Sequence, residues 1–138
     1  MSVLSTPFIS LCTLLSFKET TIDDIHIAFK QNKLTSRQLV ELYLSEIQKA
    51  NPILKGIIEV NPDALFLADK ADQKRKSGVL LSSRLHGMPV LVKDKIATKY
   101  KLNTTAGSIA LVGSIVPQDA GVVKKLRNAG VSYLARQL

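Results

Sequence analysis

The hydrophobic and polar positions of the chain change rhythm several times, and each change marks an element. Ile22, Ile25, Ala28 and Phe29 recur at helical spacing behind Thr21, which with Asp24 makes a T-x-x-D capping box. Asp23 and Asp24 suit the positive end of that helix, and Asn32-Lys33 break it. Thr35 to Gln38 repeats the signal as T-x-x-Q ahead of Leu39, Leu42, Tyr43, Ile47 and Ala50. The residue before a proline resists helical angles, so this second helix is predicted to stop at Asn51-Pro52. Gly56 to Val60 is a short β-rich run, and Asn61-Pro62 then supplies a cap and first-turn pair for a third helix, Asp63 to Lys76. Beyond a polar stretch, Ser77-Gly78 to Arg84, a strand is predicted over Met88 to Val92. Its continuous apolar run, Val90-Leu91-Val92, suggests cover on both faces. After a Gly- and hydroxyl-rich segment, Asn103 to Ser108, Asp119 starts a helix over Ala120 to Asn128, with Gly130 as its left-handed stop. Val131 to Leu134 reads as the last strand. Helices between separated strands predict an α/β layer with a parallel or mixed sheet, and no internal repeat is visible.

The regular pattern begins only after residue 17. Met1 to Phe17 is apolar and hydroxyl-rich, broken by Pro7, and carries no acidic or basic side chain. It reads either as a secretory signal peptide, though without a basic n-region or a clean cleavage site, or as an N-terminal extension to a domain over 18–138. The first reading places the protein in the secretory pathway, the second in the cytoplasm.

Composition narrows the function classes. At 138 residues and 46% hydrophobic, the chain can bury one ordinary core. Aromatic residues are only 5% and tryptophan is absent, which argues against a stacking platform for single-stranded nucleic acid. The single cysteine, Cys12, excludes an internal disulfide framework and a Cys-rich zinc module. No apolar run reaches the ~20 residues that span a bilayer, so no transmembrane segment is expected. The net charge of +8 arises entirely beyond residue 60, where thirteen basic residues face five acidic ones. These basic residues, Arg136 among them, are scattered rather than clustered, as solvated cations usually are, so no nucleic-acid partner is expected.

Candidate chemistry centres on Lys93, which ends the apolar strand in Gly87-Met88-Pro89-Val90-Leu91-Val92-Lys93-Asp94. Carried into a low-dielectric site, a lysine loses preference for its ammonium form and becomes a general base. Alternatively it snorkels out of the strand end and pairs with Asp94. The hydroxyls of Thr104, Thr105, Ser108 and Ser114 lack the histidine and carboxylate of a serine hydrolase, and G-x-S-x-G is absent, so turning and capping is their expected role. Gly107 and Gly113 do not form a P-loop. His26 and His86 stand alone, without a third ligand at workable spacing for a metal.

Taken together, Leu85-His86-Gly87-Met88-Pro89-Val90-Leu91-Val92-Lys93-Asp94-Lys95-Ile96 resembles the first motif of the amidase signature family, L-x-G-[IVM]-P-[IVL]-x-[IVL]-K-D-N-[IV]. Thr104-Thr105-Ala106-Gly107-Ser108 resembles its T-T-x-G-S follow-on. Asp119-Ala120, Val122-Val123, Leu126 and Ala129-Gly130 match its next helix. Thr21 to Asp24 and Leu34 to Val40 are similar to the family as well, particularly its plant members.

The resemblance implies a mixed sheet flanked by helices, of which this chain would be an incomplete N-terminal portion, and hydrolysis of a carbon–nitrogen amide bond. No cofactor is expected, and, from the lone histidines, no metal. The family's catalytic set is a lysine, a serine on a cis peptide and a nucleophilic serine, and its lysine falls on Lys93. Two departures stand out. Lys95 replaces the family asparagine, setting a second cation near the base. After Gly130 the text becomes Ser132 to Leu138, and the segment bearing both serines is not among these residues. The expectation is therefore an amidase portion that is inactive alone and meets a small amide substrate only in a full-length form. The alternative is a non-catalytic interaction protein.

Overall fold

The computed structural model describes residues 20–78 and 83–138. The segment Met1 to Phe17 and the middle of the polar stretch before Arg84 lie outside the described residues. Among the described residues, four helices, α1 (Ile22–Lys30), α2 (Ser36–Leu54), α3 (Ala64–Lys76) and α4 (Gly121–Asn128), accompany three strands, β1 (Ile57–Val60), β2 (Pro89–Lys93) and β3 (Ser132–Gln137). A short 3₁₀ turn covers Ile109–Leu111. The strand order is β1-β3-β2, with β1 antiparallel and β2 parallel to β3. The sheet is thus mixed, as expected.

Both capping boxes form. The Thr21 hydroxyl accepts from the Asp24 N–H at 3.2 Å while the Asp24 carboxylate accepts from the Thr21 N–H at 3.0 Å. Thr35 and Gln38 do the same for α2. These caps fix the entry angles that bring Ile25 and Phe29 of α1 against Leu34, Leu39 and Met88. A second core, Val40, Ala64, Ala68, Leu134 and Ala135, joins α2 and α3 to β3, and a third, Val92, Leu102, Val123 and Tyr133, joins α4 to the sheet.

Besides the strand bounds, which fall at Pro89–Lys93 rather than Met88 to Val92 and at Ser132–Gln137 rather than Val131 to Leu134, four predicted details differ. Helix α2 does not stop at Asn51-Pro52 but runs on to Leu54, with Pro52 inside its last turn. A proline there forfeits one hydrogen bond, and other bonds hold the turn. The Asn51 amide donates to the Ile57 carbonyl and accepts from the Ile57 N–H, and the Lys55 N–H reaches the Asn51 carbonyl. Helix α3 starts at Ala64 after Asp63: the Asn61 side-chain oxygen accepts from the Asp63 N–H at 3.0 Å, while its amide also donates to the Tyr133 carbonyl at 2.7 Å and its N–H to the Leu134 carbonyl. Helix α4 starts at Gly121, since Asp119 turns back to accept from the Lys99 N–H and from Arg127.

The fourth difference concerns the strands. Cover on both faces was expected for Val90-Leu91-Val92, yet Val92 is buried while Leu91 is 41% exposed. The doubly covered strand is β3, where Ser132 to Arg136 are all buried. Position in the sheet decides this, because β3 is central and β2 is an edge.

Candidate active site

Lys93 is the last residue of β2, paired in register with Gln137 of β3. Its side chain is exposed, so the low-dielectric surroundings expected from the sequence are not supplied by the described residues. Neither is the alternative pairing with Asp94, whose carboxylate turns inward. Lys95 is exposed too, on the turn that follows.

Asp94 anchors the loop beyond β2. Its carboxylate accepts from the Thr105 hydroxyl at 2.6 Å, the Thr105 N–H at 3.1 Å and the Gly107 N–H at 3.3 Å. Burial alone would push this carboxyl up. The Thr105 hydroxyl, the two N–H groups and the Arg136 cation outweigh it and hold the group below the ordinary carboxylate range. The hydroxyl-rich segment therefore turns and ties, as the residues suggested, and Ser114 likewise donates to the Leu111 carbonyl.

Arg136 departs from expectation. Its place among scattered basic residues suggested a solvated cation, yet it is 1% exposed. Its guanidinium donates to the Asp94 carbonyl at 3.2 Å, the Leu102 carbonyl at 3.4 Å and the Thr104 hydroxyl at 2.9 Å, with the Asp94 carboxylate 3.7 Å away. The signal available in the sequence was its place directly after Tyr133-Leu134-Ala135, inside what became the central strand. Arg136 and Asp94 together pin the backbone that emerges from Lys93 to the end of β3, where the Asp94 N–H also meets the Gln137 carbonyl.

The two histidines stay apart from this cluster. His26 lies on α1, and His86 contacts the Ala71 carbonyl through Nε2 while its ring packs on Gly130. Gly130 has a φ of +77° and no side chain, which serves both the predicted helix stop and the close approach of that ring.

A family model described as Amidase matches residues 38–137, which include Lys93, Asp94 and Arg136. The chain belongs to the amidase family. A probable amidase of Arabidopsis thaliana is 56% identical over 138 residues, covering 99% of this chain and 27% of the relative. Among solved structures, the native peptide amidase of Stenotrophomonas maltophilia superposes with a TM-score of 0.81 at 37% identity, covering 88% of this chain and 25% of its own. An amidase family protein of Bacillus anthracis gives 0.82 at 31% identity, covering 97% and 27%. This amidase chain thus spans about a quarter of the length of these relatives.

The family match also reaches further than the motifs suggested. They end near Val131, whereas the matched region runs through β3 to Gln137. The buried Arg136 of the amidase chain therefore stands inside the shared fold, on the strand that neighbours the lysine-bearing one.

Proposed function

We propose that these residues are the part of an amide hydrolase that carries its base lysine, Lys93, and not the two serines that the lysine serves. The observation that carries this reading is the position of Lys93 at the end of β2, followed by an Asp94 locked by Thr105, Gly107 and Arg136. A general base needs a fixed backbone and a free amine, and this arrangement supports both. In the complete enzyme, neutral Lys93 takes a proton from a bridging serine, which takes one from the nucleophile as that oxygen attacks the amide carbonyl. The acyl intermediate is then released by water. A lysine reaches its neutral form near pH 7 only out of water, so the exposed Lys93 side chain requires cover from further amidase chain.

Alone, the 138 residues turn over no amide and take a small-molecule amide only in a full-length form. Losing one oxyanion donor slows such reactions by about 100- to 1000-fold, and here nucleophile and donors are missing together. The purified chain should release no ammonia from simple amides and take no label from a serine-directed fluorophosphonate. A chimaera, with this chain in place of the matching quarter of the Arabidopsis relative, should hydrolyse amides. Lys93→Ala and Lys93→Arg in the chimaera should both abolish turnover, since a guanidinium keeps its proton. Full activity of the Lys93→Ala chimaera, or labelling of Ser108 or Ser114 in the chain alone, would sink the assignment. A second reading, a non-catalytic interaction protein, draws support from the exposure of Ile109 (90%), Val112 (65%) and Ile115 (74%).

A further inference from the structure

A cavity of about 210 Å³ opens between α3 and α4 over strands β2 and β3, away from the lysine site. Neither Lys93 nor Asp94 lines it. Leu67, Val90, Val92 and Val123 make its wall apolar, and Lys70 and Lys74 stand at it from α3. No carboxylate among the described residues lines it. The two lysines lie four residues apart on one helix face, where like charges repel each other. Neither makes an ion pair among the described residues.

The remaining polar groups add no negative charge. Arg127 also borders the cavity, but its Nε donates to Asp119 at 2.7 Å, so its charge is already answered. His86 borders it with Nε2 held at the Ala71 carbonyl. Burial keeps this imidazole below its ordinary value; the Arg75 and Lys74 cations push the same way, against the Ala71 carbonyl and the Asp72 carboxylate, which pull it up.

We propose that this cavity binds a small monocarboxylate with an apolar body, such as phenylacetate, its carboxylate between Lys70 and Lys74 and its ring on the apolar wall. Size and charge select that class together. A cavity of about 150 Å³ is known to take benzene, so this one holds one ring and a short acid arm and not a nucleotide. A bare phosphate would leave the apolar wall wet. An anion between the lysines relieves their mutual repulsion and gains charge-assisted hydrogen bonds.

The test is a titration of the ¹⁵N-labelled chain with sodium phenylacetate, followed by amide chemical shifts. Saturable shifts are expected at Val90, Val92, Val123 and Ser132, with a Kd of about 1 mM or tighter, weakening as salt rises. Lys70→Gln/Lys74→Gln should weaken binding about tenfold, and 2-phenylethanol, the neutral counterpart, should bind about tenfold more weakly than the acid. Glutamine is a good helix former and neither lysine belongs to a packed core, so the variant should keep the parent spectrum. The proposal is overturned by an absence of saturable shifts up to about 10 mM ligand, a concentration that would reveal any Kd of that order. Shifts scattered over distant lysines such as Lys95, or equal affinity for acid and alcohol, overturn it too. Because the readout is binding by this chain, it is independent of any amide hydrolysis at Lys93.

Discussion

Asp94 and Lys93 are neighbours that send their side chains to opposite environments, and the buried one yields the sharper predictions. Asp94 has its carboxyl held below the ordinary range in the folded chain, so its stabilisation is complete above that range. It is lost as pH falls through the folded value. The melting temperature should therefore hold between about pH 7 and 5 and drop below about pH 4, and Asp94→Asn should flatten that acid limb in calorimetric scans. Asp94→Asn should also destabilise the chain at pH 7 by about 3 kcal/mol in urea unfolding, because it strands the Arg136 guanidinium, 1% exposed, without a counter-charge. The double change Asp94→Asn/Arg136→Met should recover most of that loss, since it removes the stranded charge as well. A double variant less stable than Asp94→Asn would refute the pairing. This cluster was half legible. The place of Lys93 at a strand end was readable from the apolar run before it, and the turning role of the loop hydroxyls from their type. The burial of Arg136 was not legible, because whether a cation faces water depends on which strand becomes central.

Among the elements, the junction of α2 with α3 shows what local sequence can and cannot specify. The Thr35 cap is a four-residue event and was readable. Its completion is not, for the Ser36 and Arg37 N–H groups donate to the Asp72 carboxylate, thirty-six and thirty-five residues away. Arg75 closes the arrangement by donating to Asp72 and to the Ser36 hydroxyl while its guanidinium lies 4.1 Å from the centre of the Phe29 ring. Asp72 thus caps α2 from a different helix, and Arg75, held by it, adds the contact with α1. Thr35→Ala should lose about 1 kcal/mol, as cap removals do. Asp72→Ala should lose about 2 kcal/mol or more, because it leaves two first-turn donors and Arg75 without their acceptor. Thermal melts of the two variants rank the contributions, and an Asp72→Ala chain that melts with the parent would show that the long-range cap adds nothing. Gly87→Ala tests the same junction from the strand side. Gly87 sits at a φ of +76°, and a side-chain carbon there would meet the Ser36 hydroxyl, so the variant should melt well below Thr35→Ala. The missed end of α2 has the same origin as Asp72. Pro52 signals a stop locally, while the Asn51 bonds to Ile57 that override it become available only once the chain has turned into β1.

For the molecule as a whole, the amidase chain has a packed centre and a poorly covered outside. Leu91 at 41%, Val112 at 65%, Ile115 at 74% and Ile109 at 90% exposure are large apolar side chains in water. Three of the four lie in the segment that follows the Asp94-bound turn. Soluble monomers rarely display extended apolar patches, and those that do associate or bind apolar dyes. The net charge of +8 opposes association by self-repulsion, and salt screens that repulsion. The chain should therefore bind an apolar fluorescent dye at low salt and shift towards larger species in sedimentation experiments as salt is raised. Ile109→Ser/Val112→Ser/Ile115→Ser should reduce both effects. Because these side chains contribute little to the three cores, the triple variant should unfold within about 0.5 kcal/mol per site of the parent. Salt dependence separates this from a loosely packed chain, whose dye binding would persist in the triple variant and whose thermal transition would be broad. Unchanged dye binding and unchanged sedimentation in the variant would place the exposed surface that matters elsewhere, and Leu91 on the outer face of β2 would be the next position to change.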